Sequence, residues 1–523
     1  MDRHIPKMTL PIVFVLAAAV VALFIIGCAP RGHALRPTHT HKSDPPASIP
    51  KGDAWYIESS PVANGKPTSC SFVEFDERGD YLDFQQHRHT YSKIRELAQK
   101  GERLLVLIYV HGWKNNSQSS DVVRFNSFLQ RIAASPFARE GGFRVHGVYL
   151  AWRGNAFPHA LEQQHEQFTA ATQAFGGQPI VNTRYARKLG FLYWAPEQLS
   201  YWSRKNAAED KVSGVSLIRT IYTCGHTARR YGDTNAPNRV FLMGHSFGAL
   251  MLEQSFAPAT LARLTAEWPW DDEELIEHAQ ANPLPFDLVL FVNSAAPSIY
   301  AKQFYNYMVA HRQALVRHGI VGADAPLVIS LTSRADKATR LAHKYGNICA
   351  PFYPSLWRKY DASDFILSTT KETRSVKVPQ WYYYRRTPGH NPLLVNHWIV
   401  PVEADPEPLD KQTAMQQNLD LKRPAEITNR TFHTSPRKPG GKTSTWKIVD
   451  SPPDPKWSTY RGLRSLSSIP NASRSGYWII RCEEEIIGGH NDVWSTQAME
   501  TYAALLREAE FLRTQTPKPP KTD

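Results

Sequence analysis

Gly244-His245-Ser246-Phe247-Gly248 has the residue types and spacing of a serine nucleophile held on a tight turn. At average glycine and serine usage, a chain of 523 residues yields such a pattern by chance roughly one time in ten. The context therefore matters more than the match. The apolar, β-rich run Arg239-Val240-Phe241-Leu242-Met243 precedes it and helical sequence follows. A strand-turn-helix junction would lift the serine to the carboxyl edge of a sheet, with small residues on either side letting neighbouring backbone pass. The helix N-terminus would aim amides at developing negative charge.

A serine alkoxide needs a base, and the base needs an acid to orient it. Ile486-Ile487-Gly488-Gly489-His490 follows the last expected strand and precedes the final helix, so His490 is the expected base. The two glycines supply a turn that can carry the imidazole over the serine. His390, His397 and His433 are rivals. Asp336, just after the apolar run 327–332, is the expected acid, with a helix N-cap as its other reading. Asp324 precedes that run and would lie at the wrong end, while Asp361 and Asp364 come later. Asp492 is too near His490 in sequence to orient it easily. The oxyanion would be bound by the amide of Phe247 and by that of Trp113 in His111-Gly112-Trp113. Alternatively, His111 and Trp113 simply pack that loop. A histidine base implies activity rising with pH as the imidazole loses its proton.

These residues need a sheet to position them. The continuous apolar run Leu104 to Val110 reads as a strand buried on both faces, as under helices in a parallel sheet. Further strands are expected at 71–75, 81–84, 145–152, 239–243, 286–293, 327–332 and 477–486. Helices are expected at about 90–100, 119–134, 181–206, 212–231 and 494–514, and from Phe247 onward. Strands alternating with helices indicate an α/β fold with a mostly parallel sheet. Residues 366–475 break the rhythm and read as a large irregular insertion before the last strand. The aromatics of the 181–231 stretch, including Phe191, Tyr193, Trp194, Tyr201 and Trp202, would line an acyl pocket or pack the core. Arg204 and Lys205 are expected to face solvent, with an acidic substrate as the other reading.

Together, Tyr109-Val110-His111-Gly112-Trp113, Gly244-His245-Ser246-Phe247-Gly248, Asp336 and His490 resemble the α/β-hydrolase superfamily of serine hydrolases over about residues 70–515. Val148-Tyr149-Leu150-Ala151-Trp152-Arg153-Gly154 and Tyr201-Trp202-Ser203-Arg204-Lys205 resemble an esterase- or lipase-like branch of it. The resemblance implies an α/β-hydrolase fold and cleavage of a carboxylic ester, or a related acyl bond, with Ser246, Asp336 and His490 as triad. It implies no metal and no cofactor. The large insertion departs from simpler members, as does Phe247, where many have a small residue.

The rest of the chain narrows the setting. Hydrophobic residues make up 42% and charged residues 21%, which suits a globular core. The net charge of +13 suits an anionic membrane or acidic substrate, but no zinc-finger or RRM-like motif or extended basic run points to nucleic acid. Arg3 and Lys7 precede an almost wholly apolar Leu10–Ile26, followed by Gly27-Cys28. This resembles the lipobox of bacterial lipoproteins. Residues 1–27 would then be a cleaved signal, Cys28 the lipidated mature N-terminus, 28–52 a Pro-containing tether, and 53–523 the hydrolase domain. An uncleaved signal anchor is the other reading. Either places the bulk of the chain outside the cytoplasm, in the cell envelope. Cys70, Cys224, Cys349 and Cys482 permit two disulfides or buried free thiols. His33, His39 and His41 lie in the tether stretch. Two further readings stand beside the esterase: a non-catalytic envelope lipoprotein that binds a partner, and an enzyme acting on envelope polymers or lipids.

Overall fold

The computed structural model describes residues 34–38, 55–61, 66–154, 204–233, 235–265, 284–317, 325–342, 359–361, 377–391, 393–402, 431–437, 443–450 and 476–514. The signal, Cys28, the tether histidines, most of the expected helix 181–206 with its aromatics, Asp324, Cys349 and Asp364 lie outside them. The order begins β1 (Tyr56–Glu58), β2 (Ser69–Phe75), α1 (Phe84–Gln99), β3 (Arg103–Val110), α2 (Ser120–Ala134), α3 (Pro136–Glu140) and β4 (Phe143–Trp152). A π-helical turn (Ala207–Val212) leads into α4 (Val215–Arg230), β5 (Arg239–His245), α5 (Phe247–Thr265), β6 (Leu288–Val292), α6 (Ser298–Arg317) and β7 (Val328–Ser333). Then come β8 (Lys359–Asp361), β9 (Lys377–Pro379), α7 (Gln380–Tyr384), β10 (His397–Pro401), β11 (Thr431–Thr434), β12 (Ser444–Asp450), β13 (Tyr477–Cys482) and α8 (Thr496–Thr514).

Eleven strands form one sheet in the order β1-β2-β4-β3-β5-β6-β7-β13-β10-β12-β11. The central run from β2 to β10 is parallel throughout, and only the pairings β1–β2, β10–β12 and β12–β11 are antiparallel. The chain is therefore α/β, with a mostly parallel mixed sheet flanked by helices. Alternation along β3 shows why its apolar run is continuous. Leu104, Val106, Ile108 and Val110 face the core under α1, α4, α5 and α6, whereas Leu105, Leu107 and Tyr109 face that under α2 and α8. Leaving either face exposed would forfeit roughly 1.5–3 kcal/mol per large side chain.

At the amino end of β6, the buried Asp287 carboxylate gathers Arg229 at 2.7 Å and Arg513 at 3.0 Å and accepts from the Val240 amide at 2.8 Å. It thus ties α4, α8 and β5 to β6. Asp287→Ala removes the carboxylate from the partly buried Arg229 and Arg513 and the acceptor from the Val240 amide, and denaturant unfolding is expected to show a loss of about 3 kcal/mol.

Several expectations are corrected. Residues 366–475 are not simply irregular: β10, β12 and β11 continue the main sheet beyond β13. Their brevity and polar outer positions hid them from a periodicity reading. β13 ends at Cys482, not Ile486, and lies inside the sheet. No strand covers 81–84; Tyr81 makes one bridge to Phe75, and Phe84 opens α1 six residues before the expected start. Asp83 caps that helix by accepting from the Gln85 amide at 2.9 Å. Arg204 and Lys205 are buried, not solvent-facing. Arg204 stands 3.5 Å from Glu77, which also pairs with Arg153 at 3.2 Å, and Lys205 pairs with Glu209. Nothing near 204 in sequence announces Glu77 as a partner. Residues 34–38, within the expected tether stretch, bind Glu74 and Asp83. Cys70, Cys224 and Cys482 are free and buried, and burial pushes the thiols of the first two up to about 12.

Candidate active site

β5 ends at His245 and α5 starts at Phe247, so Ser246 alone makes the turn, with φ +55°. Such a left-handed backbone at a non-glycine residue costs of order 1–3 kcal/mol and marks functional positions. Its carbonyl accepts from the Leu250 amide at 3.0 Å, the first turn of α5, and its amide donates to Val292 at 3.1 Å. Gly248 is needed for approach: a Cβ there would stand 2.0 Å from the Val110 carbonyl oxygen. A Cβ on Gly112 would stand 3.0 Å from the Ser246 Cβ, so the loop after β3 touches Ser246.

β7 and β13 are parallel neighbours, and the loops leaving them bring Asp336 and His490 together. His490 Nε2 lies 2.8 Å from Ser246 Oγ, and His490 Nδ1 lies 3.1 Å from both carboxylate oxygens of Asp336. Asp336 is fully buried and the His490 side chain 19% exposed. Burial works to raise the Asp336 carboxyl, but the adjacent His490 and hydrogen bonds from His490 and Thr339 outweigh it and hold it down to about 2. Its oxygens accept from the Thr339 amide at 3.0 Å and the Thr339 hydroxyl. Asp336 thus faces His490 and caps the next helical turn at once. This geometry lets the imidazole take the serine proton while an ionised carboxylate stabilises the resulting cation.

The rivals stand elsewhere. His397 stacks on Trp478 at 4.5 Å, and His433 bonds Thr445 at 3.0 Å. His390, in the turn Pro388–His390, packs near Asp336 but is not on Ser246; burial pushes its imidazole down to about 4. Asp361 is in β8. Asp492 accepts from the Gly488 amide at 2.7 Å and pairs with Arg437, bracing the His490 loop from outside.

The amides of Phe247 and Trp113 belong to the two backbone segments that meet at Ser246, and their rings lie 6.2 Å apart. His111 pins the second segment. Its Nε2 accepts from the Trp152 amide at 3.1 Å, which leaves Nδ1 protonated to donate to the Gly112 carbonyl at 2.8 Å. Lys114, at φ 72°, donates to the Gly154 carbonyl at 2.9 Å, closing the turn. Among the described residues, no group of three His, Cys, Asp or Glu side chains is placed to hold a metal ion.

Two positioning residues escaped the sequence reading. Asn293, at φ 45° just past β6, accepts from the Ser333 amide at 3.0 Å and donates to the carbonyls of His490 at 3.3 Å and Gly489 at 3.4 Å. His245 Nε2 donates to the same His490 carbonyl at 3.0 Å. Burial, then the neighbouring His490, push the His245 imidazole down to about 3, so it stays neutral with one proton to give. Asparagine at a strand end tolerates left-handed backbone, the one signal that could have flagged position 293. Asn293→Ala frees the loop bearing His490; if that imidazole serves as base, steady-state kinetics should show kcat down about 10–100-fold with little change in KM.

No family model, curated protein or solved structure matches the chain.

Proposed function

We propose that this chain is a serine hydrolase of the α/β-hydrolase fold that cleaves carboxylic esters through an acyl-enzyme on Ser246. The observation that carries this reading is the 2.8 Å contact of His490 with Ser246, on a serine strained to φ +55°, with Asp336 behind the imidazole. His490 takes the Ser246 proton as Oγ attacks the ester carbonyl carbon. The oxyanion is held by the amides of Phe247 and Trp113, and Asp336 stabilises the imidazolium. His490 then protonates the departing alcohol. In the second half, His490 takes a proton from water, which attacks the acyl carbon; Ser246 recovers its proton and the acid leaves. No cofactor takes part in this scheme. The residues N-terminal to Ala34 anchor the enzyme to the bacterial envelope, through lipidated Cys28 in this reading.

The test is hydrolysis of p-nitrophenyl esters from acetate to palmitate, with a fluorophosphonate probe and mass spectrometry to locate the label. Turnover with the label on Ser246 is expected, and the chain-length optimum sizes the acyl pocket. An intact, folded protein that neither turns over an ester nor takes the label would move the reading to a binding-only envelope protein.

A further inference from the structure

Two neighbouring helices on one face of the sheet carry an unusual outer surface. On α1, Phe84, Arg88, Tyr91 and Arg95 recur at helical spacing on the outward ridge. On α4, Val215, Arg219, Tyr222, His226 and Arg230 do the same, and that helix contains no acidic residue. Phe84 is 41% exposed and Val215 80% exposed, while Arg88, Arg95, Arg219 and Arg230 are all exposed. Among the described residues, no carboxylate pairs with any of these four arginines. Arg219 lies over the Phe84 ring at 5.7 Å, bridging the helices. Between the ridges runs a groove of about 770 Å³ lined by Tyr91, Tyr222 and Tyr231 as well as Arg95, Arg219, Arg229 and Arg230. Apolar tips, tyrosines and uncompensated arginines on one ridge pair suit the headgroup region of an anionic bilayer.

The docked segment orients the molecule. The amides of Leu35 and Arg36 donate to Glu74 at 3.0 and 2.7 Å, and Thr38 donates to Asp83, the cap of α1, at 2.9 Å. Arg36 lies over Phe72 at 4.0 Å. Only residues 27–33 separate this clamp from the apolar stretch ending at Ile26. Such a link reaches at most about 28 Å, and α1 itself is about 24 Å long. The apolar stretch therefore enters its bilayer within reach of the α1–α4 face.

We propose that the outer ridges of α1 and α4 are the surface on which this protein lies against an anionic lipid bilayer. The orientation rests on the chain just before Ala34 being held at the bilayer, by residues 10–26 or, as proposed above, by lipidated Cys28 six residues from the clamp; the hydrolase reading is not needed. With this face on the lipid, the carboxyl edge of the sheet, and Ser246 with it, points along the membrane plane.

The test uses the full chain with an environment-sensitive dye on Val215→Cys, and a second sample with the dye on Val123→Cys, 67% exposed on α2 across the sheet. The unsubstituted chain supplies the background from native cysteines. With phosphatidylglycerol-containing vesicles, the Val215 dye should shift to the blue and the Val123 dye should not. Pure phosphatidylcholine vesicles should give a much smaller shift. Each Arg→Gln change should weaken the contact about fivefold, so R88Q/R95Q/R219Q/R230Q should abolish the shift while melting at the same temperature. High salt should do likewise. Equal shifts at both dyes, or none at Val215, would overturn the proposal. So would a Val215 shift without lipid that grows with protein concentration, which would assign the face to a second copy of the chain. Failure to float with phosphatidylcholine vesicles would count against the N-terminal anchor alone.

Discussion

Replacing Ser246 by alanine is expected to lower kcat on the best ester by about a millionfold. In the proposed mechanism Ser246 is the group on which His490 acts, so its loss removes the covalent route entirely. Phe247, Trp113 and the substrate pocket remain, and a residual rate about 10³–10⁴ above that in water should survive. Fluorophosphonate labelling should vanish, and a persisting label would place the nucleophile elsewhere. Stability gives an independent check on the elbow. Alanine keeps the φ of +55° unfavourable, whereas glycine adopts it freely. Ser246→Gly should therefore unfold at higher denaturant than Ser246→Ala, by about 1 kcal/mol. Equal stability would mean that the serine backbone is not strained.

Asp336→Asn should lower kcat by about ten-thousandfold, because an amide nitrogen facing His490 Nδ1 favours the wrong imidazole tautomer. It should also cost stability in a pH-dependent way. The Asp336 carboxyl moves from an ordinary 3.8 down to about 2 in the folded protein. Its contribution is thus fully present above about pH 4 and lost as pH falls toward 2. A shift of this size corresponds to about 2–3 kcal/mol. Denaturant unfolding should show that gap between wild type and variant at pH 6, shrinking by pH 3. A gap unchanged with pH would mean that the variant fails through packing, not through loss of the charge.

The strand-turn-helix junction at Ser246 was legible because its parts are contiguous: strand, glycine, serine and helix start lie within a dozen residues, and each obeys a local rule. Asp336 and His490 were legible by their places after strands, since parallel strands deliver their following loops to one edge. The supports were not. Asn293, His245 and Ser333 act through backbone carbonyls and amides of segments far away in sequence, and backbone partners leave no mark on composition. Short strands such as Thr431–Thr434 and His397–Pro401 take their partners from distant chain, so their periodicity was too brief to separate from loop. Arg204 misled for the same reason: a charged side chain reads as exposed until the buried carboxylate beside it is known.

The interior place of β13 carries a consequence for synthesis. Its neighbours β7 and β10 have both left the ribosome before it, yet neither can complete the sheet until Tyr477–Cys482 slots between them. The loop bearing His490 follows directly. A nascent chain thus carries Ser246 for 244 residues of elongation, and Asp336 for 154, before His490 joins them. The Ser246–His490–Asp336 constellation therefore assembles only when the last strand has been inserted, and any hydrolysis it performs must wait for that step.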